Sequence, residues 1–420
     1  MTSRERLQAA IEHRQPDRVP LDLGATGQTG MSASTLYRLR KALGLPETPI
    51  RITETLQMLG HIDRDLMDLL GVDVIGLNNP VSLFGVPDGP LKPFRMPDGT
   101  PTLVSQGNQW DVKPDGAIYI YPQGDRSVPP SGHMPAGGYF FDNIERSPDF
   151  DEDALTPLED FKDDFTVMTD ETARYLEQTS IRLYEETDYG IIGNLGGGSF
   201  GDSGVLPGPG LLRPQGIRRV EDWLMAHLLY PEYIQEVFEL QTQVMLKNLE
   251  IYRQAVGHRA QVLWVSGTDF GTQNSEMISP ATFRQLYKPY YQRVNDWIHE
   301  NTGWKTFYHC CGSIVNLLDD FVEMGVDILN PVQLSARGMD MHMLKETYGD
   351  KLTFWGGGID TQKVLPFGTP QEVRRQVLER LEVFAPGGGY VFNPIHNVVG
   401  GTPVENLIAM YDALREFNGR

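Results

Sequence analysis

The stretch Phe307-Tyr308-His309-Cys310-Cys311-Gly312 gathers both cysteines of the chain and a histidine at the end of a strand-like run. Where a strand persists, successive side chains alternate faces, so His309 and Cys311 share one face and Cys310 takes the other. A His-x-Cys pair supplies two ligands of a zinc site. His396, in Phe392-Asn393-Pro394-Ile395-His396-Asn397, follows a second strand-like run and is the candidate third. Zinc accepts a thiolate and neutral imidazoles at tetrahedral positions, with one position left open when the site is catalytic. Asp269 or Glu276 offers an acidic group that could complete the shell instead. The same residues also suit a plainer arrangement, with Cys311 a small buried hydrophobe and His309 a satisfied core histidine.

Such residues need a scaffold to bring them together. Short β-branched runs at 18–23, 73–77, 190–195, 261–266, 305–309, 326–330, 352–355 and 389–393 are each followed by helical periodicity, the pattern of βα units around a parallel sheet. Eight units predict an α/β fold, a TIM (β/α)8 barrel, whose reactive groups lie at the carboxyl ends of the strands. There the sequence places Asp22, Asn78, Asn79, Asn194, Asp269, His309 with Cys311, Asn330 with Gln333, Asp360, and Asn393 with His396. Singly these are ordinary turn residues, but as a set they predict a polar pocket. Asp269, His396 and Asn194 are the candidate catalytic groups.

The glycine-rich stretch from Gly193 to Gly201 fits neither the dinucleotide fingerprint nor the phosphate loop. Its Gly196 and Gly197 suit close approach of the backbone to a flat ligand, or simply a flexible loop. Gly357, in Trp355-Gly356-Gly357-Gly358-Ile359-Asp360, leaves room at the barrel mouth. With Gln333, these three glycines are the candidate cofactor-binding positions. Helix starts are marked at Thr156-Pro157, Ser279-Pro280, Thr369-Pro370 and Thr402-Pro403. Residues at about 84–150 break the even spacing and are rich in Gly, Pro and aromatics. A hairpin-like pair at 102–104 and 118–121 marks them as a β-rich excursion between the second and third strands, either a lid or oligomer arm or a peripheral decoration.

Bulk properties narrow the partners. A net charge of −20 over 420 residues, with no basic patch, argues against nucleic acid or an anionic membrane surface as a standing partner. Two adjacent cysteines make no disulfide framework, which predicts a reducing compartment. The N-terminus reads as a capped amphipathic helix rather than a secretory signal, and no apolar run reaches membrane-span length. The expected location is cytoplasmic.

The assembled pattern resembles the uroporphyrinogen decarboxylase superfamily. Arg4-Glu5-Arg6-Leu7 with Pro16-Asp17-Arg18-Val19-Pro20 resembles its opening helix and strand, and Tyr390 to Asn397 with Thr402-Pro403-Val404-Glu405-Asn406 resembles its last strand, histidine loop and terminal helix. The resemblance implies one barrel domain over 1–420. One branch of the superfamily decarboxylates uroporphyrinogen, using paired arginines after the first strand and an aspartate after the second. Here the segment from Asp22 to Gly30 has no arginine, Asn78 and Asn79 stand near the expected aspartate, and only His396 matches a functional residue of that branch.

The other branch comprises corrinoid-dependent methyltransferases, in which zinc held by a His-x-Cys motif and a later cysteine activates a thiol to take a methyl group from a methylcobamide. His309-Cys310-Cys311-Gly312 matches the motif, and His396 stands where the later cysteine is expected. The resemblance therefore implies a zinc methyltransferase with His309, Cys311 and His396 as ligands. Its methylcobamide would be presented by a partner corrinoid protein, and its second substrate would be a small methyl donor or acceptor. Decarboxylation of the uroporphyrinogen type and a non-catalytic ligand-binding barrel are the alternative readings. The resemblance also admits a homodimer paired at the barrel mouths.

Overall fold

Seven of the eight expected runs form one curled parallel sheet in the computed structural model, which describes residues 1–419. Its strands are β1 (Val74–Asn78), β2 (Gly190–Asn194), β3 (Val262–Ser266), β4 (Lys305–His309), β5 (Ile328–Asn330), β6 (Thr353–Trp355) and β7 (Tyr390–Val391). Each pairs in parallel with the next in chain order, as successive right-handed βα units require. Each strand also sends one large residue into a shared inner cluster: Val74, Ile192, Val262, Phe307, Ile328, Trp355 and Val391. Leu7, Ala10 and Ile11 of helix α1 (Ser3–Ile11) join that cluster and close one end of the sheet. Residues of the opposite parity, such as Ile191, Leu263, Tyr308, Leu329 and Phe354, face the helical layer in the larger outer core.

The eighth run, 18–23, makes no full strand and pairs only by a bridge from Leu21 to Phe392. It closes the barrel nonetheless. Asp22 N–H donates to the Phe392 carbonyl (2.9 Å), Phe392 N–H to the Pro20 carbonyl (2.8 Å), and Asp73 N–H to the Leu21 carbonyl (2.8 Å). Pro20 contributes no ladder donor, and the chain turns at Asp22, whose carboxylate accepts the Ala25 N–H. A longer strand is therefore cut off at both ends.

The excursion between β1 and β2 is β-rich, as expected, but is built differently from a single hairpin. Pro101–Ser105 pairs with Leu91–Arg95 and, in parallel, with Ile50–Glu54, so a segment ahead of β1 is drawn into the same four-stranded sheet. Ile118–Ile120 belongs to a second sheet, between Trp110–Val112 and Gly132–Met134. The two runs at 102–104 and 118–121 thus never pair with each other. The expected cap at Thr369 forms a full capping box with Glu372. By contrast, Thr156 opens only a single turn, and Pro403 rather than Thr402 caps the last helix. No helix among the described residues is long and apolar enough to cross a membrane.

Candidate metal centre

Alternation along β4 sets the first candidate ligand. Phe307 fills the inner cluster, and Tyr308 turns outward, donating its hydroxyl to Asn295 Oδ1 (2.9 Å) on the neighbouring helix Lys288–Asn301. His309 then faces inward at the carboxyl end. Beyond it, Cys310 is buried in the outer core and its sulfur accepts the Phe270 N–H at 3.2 Å, while Cys311 comes back toward His309. Gly312 has φ +91° and its backbone crosses Gly271 so closely that an added Cβ would lie 2.4 Å from Gly271 atoms. A side chain here would push the two loops apart. That crossing sets Cys311 N–H against Asp269 Oδ1 (2.6 Å) and Gly312 N–H against Gln333 Oε1 (2.8 Å).

The ligand atoms of His309, Cys311 and His396 all lie within 4.8 Å of one another. Cys311 Sγ is 3.4 Å from His309 Nε2, and the two imidazole rings are 5.2 Å apart at 69°. Donors around a tetrahedral zinc are separated by about 3.3–3.6 Å, given its bond lengths to nitrogen and sulfur. One pair already fits this spacing, and the widest closes by about one ångström around an ion.

The donors are in suitable protonation states or can reach them. Asn330 donates its amide to the Trp355 carbonyl (2.9 Å), which leaves Oδ1 to accept from His309 Nδ1 at 2.6 Å. The proton of His309 is thereby held on Nδ1, and Nε2 keeps its lone pair facing Cys311. Burial depresses both His309 and His396 to about 4, so both rings are neutral at pH 7. Burial first, then the charge of Asp269, pushes the Cys311 thiol well above its usual range. Without an ion Cys311 is a thiol; with one it would bind as thiolate. Asn330→Ala is expected to weaken zinc binding about 10- to 100-fold by releasing the ring, read by chelator competition. Asn330→Asp, which keeps an acceptor at Nδ1, should recover most of that loss.

Of the acidic candidates, Asp269 stands beside the cluster, its Oδ1 4.0 Å from His309 Nε2. Glu276 is turned away, accepting the Asn316 N–H at 3.2 Å. Asn194 donates to Asn78 Oδ1 (2.6 Å) and to the Ala25 carbonyl (2.9 Å), tying β1 and β2 to the loop that follows the closing segment. With Gly196 and Gly197 it lines a cavity of about 440 Å³. Another wall of this cavity includes Gly30, whose N–H donates to Oδ1 of Asn397, the neighbour of His396, at 2.5 Å. Gly357 and Gln333 lie elsewhere. The Gly357 carbonyl accepts from buried Arg380 (2.6 Å), and Gln333 braces the Cys311–Gly312 turn.

Three residues not anticipated from the sequence belong to this region. Trp264 and Glu54 line the cavity, and Asp202 is raised to about 7, first by burial and then by the charge of Asp269. Asp202 reads as a turn residue in Gly201-Asp202-Ser203-Gly204, and Glu54 as the end of an alternating strand. Only tertiary packing reveals either one.

A barrel with imidazole and thiol donors gathered at its carboxyl rim is the class that fold and site define. Residues 211–417, which include all three candidate ligands, match the family described as uroporphyrinogen decarboxylase (URO-D). In structure the chain is similar to a methyltransferase from Methanosarcina mazei, with a TM-score of 0.54, 17% identity and 99% of each chain covered. At that identity the likeness concerns the fold. No curated protein matches the chain in sequence.

Proposed function

We propose that the chain is a zinc-dependent methyltransferase moving a methyl group between a methylcobamide, presented by a partner corrinoid protein, and a thiol or other small methyl donor or acceptor. The convergence of His309, Cys311 and His396 within 4.8 Å at the carboxyl rim carries this reading. Zinc held there would supply Lewis acidity at an open fourth position, favouring a thiolate at neutral pH or polarising an ether or thioether. Asn330 fixes the His309 tautomer, and Cys311 would hold the ion as a thiolate after releasing its proton. Asp269, whose Oδ1 accepts the Cys311 N–H and whose pKa is raised by burial, would take a proton at the rim. Asn194, Gly196 and Gly197 shape the cavity, linked to the His396 loop through Gly30 and Asn397, where the second substrate would sit.

The M. mazei neighbour supports the methyltransferase class by its name. The cavity has no Lys or Arg in its wall, which disfavours a substrate with eight carboxylates and hence the decarboxylase alternative. The test is metal analysis of the purified protein, followed by methyl transfer from methylcobalamin to small thiols, read as the change in the corrin absorption spectrum. Near one zinc per chain and zinc-dependent transfer are expected. Zinc-free protein that cannot be loaded would sink the proposal.

Proton release supplies a further check. With both histidines already neutral above about 4 and Cys311 protonated, loading the ion should expel one proton per zinc. Apparent zinc affinity should therefore rise about tenfold per pH unit between roughly pH 5.5 and 8. A slope of two or three would mean that the histidines are charged in the metal-free chain.

A further inference from the structure

The 440 Å³ cavity, linked to the candidate metal centre through Gly30 and Asn397, holds few charges in its wall. Its wall holds two carboxylates, Glu54 and Asp164, and no Lys, Arg or His. Asp164 is neutralised in place, because buried Arg218 grips both its oxygens at 2.7 and 2.9 Å. Glu54 has no such partner among the described residues. Its oxygens accept only the backbone N–H groups of Leu56 (2.8 Å) and Gln57 (2.7 Å), which orient the carboxyl without cancelling its charge. Trp264 and Phe165 are the aromatic residues of the same wall. Glu54 is also tied to the metal centre: Gln57 Oε1 accepts from Asn397 Nδ2 at 2.8 Å, and Asn397 follows His396.

A carboxylate set in an aromatic-lined cavity without a cation of its own complements an organic cation, which would meet the acid on one side and ring faces on the other. We propose that Glu54 is the specificity residue for an ammonium group, so that the small substrate of this site is an alkylammonium compound rather than an anion. This deepens the methyltransferase reading, on which it rests for taking the cavity as the substrate's. Burial raises the Glu54 carboxyl to about 7, as expected for an acid still waiting for its counter-charge.

The experiment titrates the zinc-depleted full chain calorimetrically with choline and with its uncharged isostere 3,3-dimethylbutan-1-ol. Choline should bind about tenfold more tightly, the size expected for a desolvated cation over an aromatic face. Glu54→Gln keeps the shape of the side chain and an acceptor oxygen for one of the two amides, and should bind the two probes equally. Equal affinities in the unaltered chain, binding of neither probe, or a cation preference that survives in Glu54→Gln would overturn the inference. The measurement uses neither zinc nor methyl transfer, so its failure is separate from a failure of the metal assignment.

Discussion

His309→Ala is expected to bind zinc on the order of 10³-fold more weakly and to lose methyl transfer with it. A structural zinc is worth about 10–16 kcal/mol shared among its ligands, so deleting one donor of three protein ligands removes roughly 3–5 kcal/mol. The alternative picture of His309 as a satisfied core histidine makes a different prediction. In that case the substitution only strands Asn330 Oδ1 and opens a cavity, costing stability in a protein that never held metal. Two measurements on the same variant separate the cases. Zinc content by mass spectrometry reports the ligand role, and urea unfolding of the metal-free protein reports the packing role. A variant that still holds near one zinc per chain would refute the ligand set, whatever its activity.

The candidate ligands are legible because their placement is encoded locally. His309 and Cys311 are two apart at a strand end, so parity alone puts them on one side, and β4 ends at the expected residue. His396 depends on the barrel closing, which the count of β-branched runs foretells. Glu54 and Asp202 depend on contacts that no local pattern encodes. Ile50–Glu54 alternates buried and exposed positions like any half-buried strand, and its partner is Pro101–Ser105, about fifty residues away across β1. Which wall of the cavity it forms follows from that pairing alone. The short bridge at Leu21 was masked for the opposite reason: local β-branched content suggested a strand, and Pro20 with the turn at Asp22 overrode it.

The closing segment is also anchored by one carboxylate, and Asp73→Ala is expected to destabilise the protein by about 3–5 kcal/mol, the cost of removing one partner of a buried ion pair. Asp73 is fully buried at the foot of β1 and accepts from four residues. Arg6 and Arg18 reach it at 2.7 Å, Ser3 Oγ at 2.8 Å, and the Leu21 N–H at 2.9 Å. Helix α1, the closing segment and β1 are therefore joined through a single side chain. Arg6 also donates to Asp17, and Arg18 donates to Asp73 through both of its terminal nitrogens. Asp73→Asn should recover little, since its amide presents hydrogens where the guanidinium groups need acceptors. The consequence reaches the far rim. The closing segment carries Asp22, which accepts from Trp355 Nε1 (2.9 Å) through its carboxylate and from Asn393 Nδ2 (3.0 Å) through its carbonyl, three residues ahead of His396. Loosening the foot of the barrel should thus weaken zinc binding as well as lower the urea midpoint. A shift below about 1 kcal/mol, within the range of an exposed ion pair, would mean that closure is secured elsewhere.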